Sequence, residues 1–130
     1  MNILGTGVDI VETARIRDSI SRFGDRFLHR CFLPDEVAYC QQMKFPERHF
    51  AARFAAKEAI SKAFGTGISG ELGWRDMEVC RQPSGEPFVK LHGQGAELAR
   101  TRGMTGLFIS LSHCEEYAVA QAILIGTGSA

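Results

Sequence analysis

From Asn2 to Val11, β-branched residues alternate with glycines and polar residues, so Ile3, Gly5, Gly7, Asp9 and Val11 share one face of a predicted strand. The period then changes from two to about 3.6. Glu12-Thr13 offers a helix start, and from Ala14 onward Ile16, Ile20 and Phe23 mark a buried stripe, with Arg15, Ser19 and Arg22 one position earlier along its edge. Gly24-Asp25 ends or bends this helix. Short helices are expected at 25–31 and, after Leu33-Pro34, from Asp35 to Met43. Pro46 opens a long alanine-rich helix over 47–64, in which Phe50, Phe54, Glu58 and Lys62 recur every four residues on one side. Gly65 suits the left-handed conformation just past a helix end. After a glycine-bearing loop at Gly70 and Gly73, Met77–Arg81 and Phe88–His92 read as a hairpin turning through Pro83-Ser84-Gly85-Glu86-Pro87. Gly95–Thr101 reads as a helix, and Leu107–Ser112 and Ala118–Ile125 as two closing strands.

Strand, helices, then mostly strands is an α+β order. It predicts one domain over 1–130, a largely antiparallel sheet packed on one side by the long helix. The 130 residues suffice for a hydrophobic core without covalent staples. No apolar run approaches the roughly 20 residues of a membrane span, and the start lacks the basic and apolar segments of a secretory signal, so cytoplasmic residence is expected. Cys31, Cys40, Cys80 and Cys114 are far apart and form no zinc-type pair, which predicts free, mostly buried thiols. Net charge is zero, so nucleic acid and membrane surfaces are not favoured partners. The basic residues are unevenly spread. Arg15, Arg17, Arg22, Arg26 and Arg30 fall within one short stretch, an expected docking surface for an acidic partner.

Two carboxylates stand where packing would prefer none. Asp9 lies on the inward face of the first strand beside two glycines, bare backbone that a ligand could approach closely. Glu58 continues the Phe50–Phe54 row. If the fold joins them, their repulsion calls for a proton or a cation, and a hard divalent metal on oxygen ligands is the common answer. The ordinary alternatives are a strand-end carboxylate for Asp9 and an i,i+4 ion pair with Lys62 for Glu58. Ser61, Lys62 and Gly65-Thr66-Gly67 tip the balance, offering a cation and open backbone amides to a phosphate ester. The glycines follow the helix instead of preceding it, so this is no nucleoside-triphosphatase loop. Ser112-His113 ends a strand, where the histidine could bind phosphate, activate a hydroxyl, or simply cap the structure. Arg53 and Lys57 read as solvated or ion-paired.

The segments Gly7-Val8-Asp9-Ile10-Val11-Glu12 and Phe54-Ala55-Ala56-Lys57-Glu58-Ala59 resemble the signature of the bacterial holo-[acyl-carrier-protein] synthase family, the small 4′-phosphopantetheinyl transferases of fatty acid biosynthesis. The likeness continues through Lys62–Gly67, the Gly85-Glu86-Pro87 turn and Leu111-Ser112-His113. It implies a 4′-phosphopantetheinyl transferase-like fold and transfer of 4′-phosphopantetheine from coenzyme A to a serine of apo acyl carrier protein. It further implies magnesium on Asp9 and Glu58, phosphate binding by Lys62, and a coenzyme A cleft that includes Gly65, Thr66, Gly67 and Pro87, with Ser112 and His113 near the 3′-phosphate. Glu86 departs from the lysine or arginine usual between that glycine and proline. Similar proteins are homotrimers with active sites between subunits, whose first helix docks the carrier protein; here Arg15, Arg22 and Arg26 would supply its charge.

The reaction so implied is phosphoryl transfer, in which Asp9, Glu58 and Lys62 stabilise charge and either Glu58 or a metal-ordered water takes the serine proton. The rival readings are a non-catalytic carrier-protein or nucleotide-binding module, and metal-dependent hydrolysis of a nucleotide pyrophosphate.

Overall fold

The computed structural model describes residues 1–127. Its elements run β1 (Asn2–Glu12), α1 (Thr13–Phe23), α2 (Asp25–Cys31), α3 (Pro34–Gln41), α4 (Pro46–Phe64), a 3₁₀ turn at Trp74–Asp76, β2 (Met77–Arg81), β3 (Pro87–Leu91), α5 (Gly93–Thr101), β4 (Met104–His113) and β5 (Tyr117–Gly126). The strands form two antiparallel sheets, a three-stranded one in the order β1-β5-β4 and the separate β2-β3 hairpin. The expected α+β architecture holds.

Packing centres on α4. Its faces are buried nearly all round, with Ala51, Ala52, Ala55, Ala56, Ala59, Ile60 and Phe64 inaccessible or almost so. A helix of that kind belongs inside a protein, and the alanines let neighbours approach its backbone. β1 comes closest: a Cβ at Gly5 would overlap the carbonyl oxygen of Ala63, and one at Gly7 that of Ala59. The two glycines are therefore bare to admit a helix. Gly7 also borders a cavity that it shares with Lys62 and Ser112. Gly65 closes α4 in the left-handed region, φ 78°, as expected.

Two differences from the sequence reading have simple causes. A bulge between Ile3 and Gly5 shifts the β1–β5 register, so Leu4 packs on the core while Ile3 leaves the Gly5–Gly7–Asp9–Val11 face and is exposed. Phe23, expected on the buried stripe of α1, is 46% exposed, because Gly24 at φ 54° turns the chain before that last residue can reach the core. Of the cysteines, Cys31 and Cys40 are buried, Cys80 is half-buried, and Cys114 is exposed; all are free.

The close approach of β1 to α4 has a measurable consequence. Gly7→Ala forces strand and helix apart and lowers stability by about 3 kcal/mol in urea titration. Gly70→Ala, whose added methyl meets nothing, stays within about 0.5 kcal/mol of the wild type.

Candidate active site

The contact between β1 and α4 works as a ruler. Passing from Gly5 to Gly7 along the strand moves the close approach from Ala63 back to Ala59, so Asp9, one pleat further, arrives beside the Glu58–Lys62 turn. Lys62 Nζ donates to Asp9 Oδ1 at 3.1 Å and to the Val8 carbonyl at 3.0 Å. Its partner is thus Asp9 and not Glu58. The Glu58 carboxyl is held above the ordinary carboxylate range, chiefly by burial and then by the charge of Asp9, against the opposing pull of Lys62 and Arg15. Asp9 and Glu58 therefore share one field, and one ammonium already answers it. Among the described residues no group of three or more His, Cys, Asp or Glu side chains could hold a metal ion. What the chain offers is a carboxylate pair, a donor set that suits a hard cation completing its shell with water and phosphate oxygens.

Glu58 also lies in a second setting, a groove of about 360 Å³ whose rim carries Arg15, Arg26 and Arg30 and whose walls include Phe27, Phe54 and Trp74. Arginine and aromatic alternate here. The Arg15 guanidinium sits 5.8 Å from the Phe54 ring centre, and those of Arg22 and Arg26 flank the exposed Phe23 ring at 5.3 and 5.8 Å. Cys31 also lines the groove, its thiol pushed up to about 11 by burial, so it stays protonated and unreactive at neutral pH.

The other expected contacts divide. Ser61 is buried and its hydroxyl donates to the Glu58 carbonyl, so it supports the helix and reaches no ligand. The amides of Gly65, Thr66 and Gly67 donate back to the carbonyls of Lys62 and Ser61, capping α4; they are not the open anion cradle expected of them. Ser112 faces a cavity of about 670 Å³ that also takes in Lys62, Val8 and Gln121. His113, next in the strand, meets His49 with ring centres 4.9 Å apart.

Around His113 stands a basic cluster. Its imidazole is held below the ordinary histidine value by burial and by Arg48, Arg81 and Arg53. Arg81 pairs in register with Pro87 and donates to the Gly85 carbonyl at 2.6 Å, so the basic group at that turn comes from the strand and not from position 86, where Glu86 is exposed. This cluster and the carboxylate pair do not meet within one chain. His49 and Glu58 are nine residues apart, about two and a half turns, which puts them on opposite sides of α4 and near opposite edges of the sheet, β4 and β1.

Most of the basic cluster went unread in the sequence, since Arg48, His49 and Arg81 belong to no periodic pattern. Of the two side chains expected to be solvated or ion-paired, Lys57 is ion-paired, with Glu36, but both it and Arg53 are buried. The signal was present: a helix apolar on every side leaves its charges nowhere to go but inward.

The family model of the 4′-phosphopantetheinyl transferase superfamily matches residues 5–122. A holo-[acyl-carrier-protein] synthase of Koribacter versatilis is 53% identical over 122 residues, covering 94% of this chain and 98% of that protein. Among solved structures, that of the Neisseria meningitidis holo-[acyl-carrier-protein] synthase superposes with a TM-score of 0.89 at 31% identity, covering 95% of this chain and 99% of the other. The Helicobacter pylori synthase, solved in complex with coenzyme A, gives 0.83 at 32% identity over 92% and 99%.

The pKa of Glu58 predicts a pH effect on stability. The folded protein holds the Glu58 proton more tightly than the unfolded chain, so ionisation destabilises the fold above the folded-state value, and the penalty vanishes below the unfolded value of about 4.3. In chelator, Glu58→Gln therefore melts higher than wild type at pH 7, and the difference closes as the pH falls below about 4.

Proposed function

The chain belongs to the holo-[acyl-carrier-protein] synthase family of the 4′-phosphopantetheinyl transferase superfamily, and from that membership we propose how its own residues divide the work. The enzyme transfers the 4′-phosphopantetheine group of coenzyme A to a serine of apo acyl carrier protein, releasing adenosine 3′,5′-bisphosphate, in fatty acid biosynthesis. In this reaction the serine oxygen forms a bond to the β-phosphorus, the bond from that phosphorus to the bridging oxygen breaks, and the serine proton leaves with a base. The observation that carries our assignment is that Glu58 lies in the same groove as Arg15, Arg26 and Arg30. An acidic macromolecule seated on α1 and α2 would bring its hydroxyl to the reacting end. A small-molecule pyrophosphate hydrolase needs no such rim, and a binding module needs no acid pair.

Asp9 and Glu58 are the residues to hold magnesium, which when bound would neutralise charge on the pyrophosphate oxygens. Lys62, half exposed and pinned only by Asp9 and the Val8 carbonyl, is free to turn its ammonium to the leaving phosphate once Asp9 is otherwise engaged. Glu58 or a water ordered beside it would receive the serine proton. The 3′-phosphate would go to His113 with Arg48, Arg53 and Arg81, beside Ser112 and Pro87, while Gly65-Thr66-Gly67 shapes the cleft and supplies no amide donors.

These two halves stand at opposite edges of one sheet, yet the 3′-phosphate and the pyrophosphate hang from a single ribose. We therefore read the site as shared between copies, the β1 edge of one meeting the β4 edge of the next. Repeated head to tail, that contact closes a ring where the rotation between copies allows. The outer sheet face supports association, since Val8, Ile10, Phe108, Tyr117 and Val119 are exposed there. A ring of three follows the family resemblance. No helix among the described residues is long and apolar enough to cross a membrane, and cytoplasmic residence is part of the same proposal.

Intact-mass analysis of apo acyl carrier protein incubated with the enzyme, coenzyme A and magnesium gains one phosphopantetheine. Asp9→Ala lowers kcat/KM by on the order of 10²–10³-fold. An unchanged carrier mass would defeat the assignment. Arg15→Gln with Arg22→Gln raises the carrier-protein KM about tenfold at low salt and leaves that of coenzyme A alone, a difference that shrinks with added salt. Loss of coenzyme A affinity instead would remove the docking role from α1.

A further inference from the structure

Lys57 and Glu36 form an ion pair from which water is excluded, both side chains being 0% exposed. Neither faces a cavity, and nothing in the transfer chemistry above uses them. Burying two charges is costly unless geometry is good and every remaining hydrogen-bonding position is filled. Here it is filled. Lys57 Nζ donates to Glu36 Oε1 at 2.7 Å, to the Cys31 carbonyl at 2.7 Å and to the Trp74 carbonyl at 3.1 Å, which uses all three of its protons. Glu36 in turn accepts from the Leu33 amide through Oε1 at 2.9 Å and from the Val79 amide through Oε2 at 3.0 Å. Burial draws the Lys57 ammonium below the ordinary lysine range, and Glu36 opposes that pull.

The partners reveal a pattern. Cys31 is the last residue of α2, Trp74 begins the 3₁₀ turn, and both line the groove that ends at Glu58, the residue after Lys57. Phe54 and Glu58 of α4, with Arg15, Ser19 and Phe23 of α1, complete its lining, and the Phe54 and Trp74 rings are 4.6 Å apart. One ammonium on α4 thus ties the end of α2 and the adjoining 3₁₀ turn, which Arg75 also bonds to the His29 and Phe32 carbonyls, to the helix that carries Glu58, while the carboxylate beside it fixes the start of α3 and the strand β2.

We propose that Lys57, held by Glu36, is a positioning residue that sets the width of the acceptor groove relative to Glu58. It touches neither substrate nor coenzyme A. The inference rests on the reading that the groove takes the carrier protein. Its signature is a split between substrates: slackening the tie affects the protein acceptor, whose hydroxyl must arrive at one place along the groove, more than coenzyme A, which meets the groove only at Glu58.

The test compares wild type with Lys57→Met/Glu36→Met, which removes both charges together at similar volume and so strands neither, and with Lys57→Gln/Glu36→Gln, which keeps donors for the two carbonyls. Wild-type transfer, measured first, stands or falls with the proposed function alone. Given that activity, the methionine pair, which leaves the Cys31 and Trp74 carbonyls and the Leu33 and Val79 amides without these partners, should melt lower than wild type but still fold, keep the coenzyme A KM within about twofold, and lose about ten- to a hundredfold in kcat/KM for carrier protein. The glutamine pair should recover part of that loss. Trp74, the sole tryptophan, reports the wall directly: its emission should shift in the methionine pair and return toward wild type in the glutamine pair. Equal kcat/KM for carrier protein in all three, an equal loss toward both substrates, or failure of both variants to fold would overturn the proposal, the last by assigning the pair to stability alone.

Discussion

The carbonyl oxygens of Ala59 and Ala63 lie so close to β1 that the strand can pass only where it has no side chains, at Gly5 and Gly7. Much of the site depends on this approach. Had either position carried a methyl group, helix and strand would stand farther apart, and Asp9 would no longer sit where Lys62 reaches it. Small residues on both partners convert a packing contact into a distance constraint between a strand carboxylate and a helix carboxylate. Repulsion between those acids is then a property of the backbone, which side-chain rotation can relieve only in part.

α4 carries the rest of the chemistry by treating its charges differently along its length. Near its start Arg48 and His49 face His113; midway Arg53 lies buried with its guanidinium 4.3 Å from the Tyr39 ring centre; then Lys57 is sealed in, and Glu58 and Lys62 emerge at the β1 edge. An apolar helix could fill the same volume, and replacing a buried ion pair by hydrophobic residues often costs little. What hydrophobic packing lacks is direction. A methionine at position 57 would tolerate small slides of α2 and the 3₁₀ turn, whereas an ammonium with three acceptors penalises each one separately.

The elements were legible because each announces itself locally: the period change near Glu12, the glycine after Phe64, the turn cluster before Pro87. Asp9 and Glu58 were legible for the same reason, as carboxylates interrupting apolar faces. What escaped required knowledge of tertiary neighbours. Gly65-Thr66-Gly67 looks like an anion loop until one asks where the last carbonyls of α4 find donors, and the answer consumes its amides. Phe23 fits the apolar period of α1, but its exposure is decided by the turn at Gly24. Glu36 stands three residues past Leu33, an ordinary helix-start position, and nothing local says that its second oxygen is claimed by Val79.

On the proposed assignment of the 3′-phosphate, a sheet with different chemistry at its two edges does not complete the site alone. The carboxylates sit with β1 at one edge and the histidine–arginine cluster with β4 at the other, so the distance between them is fixed by the width of the sheet and the girth of α4, both set by the core. Lengthening a side chain would not close it. An isologous contact would bring like edges together, acid against acid or base against base, and charge opposes both pairings. Only a heterologous contact joins unlike edges. Such a contact either propagates or closes into a ring, and in the proposed ring every carboxylate pair would face a basic cluster.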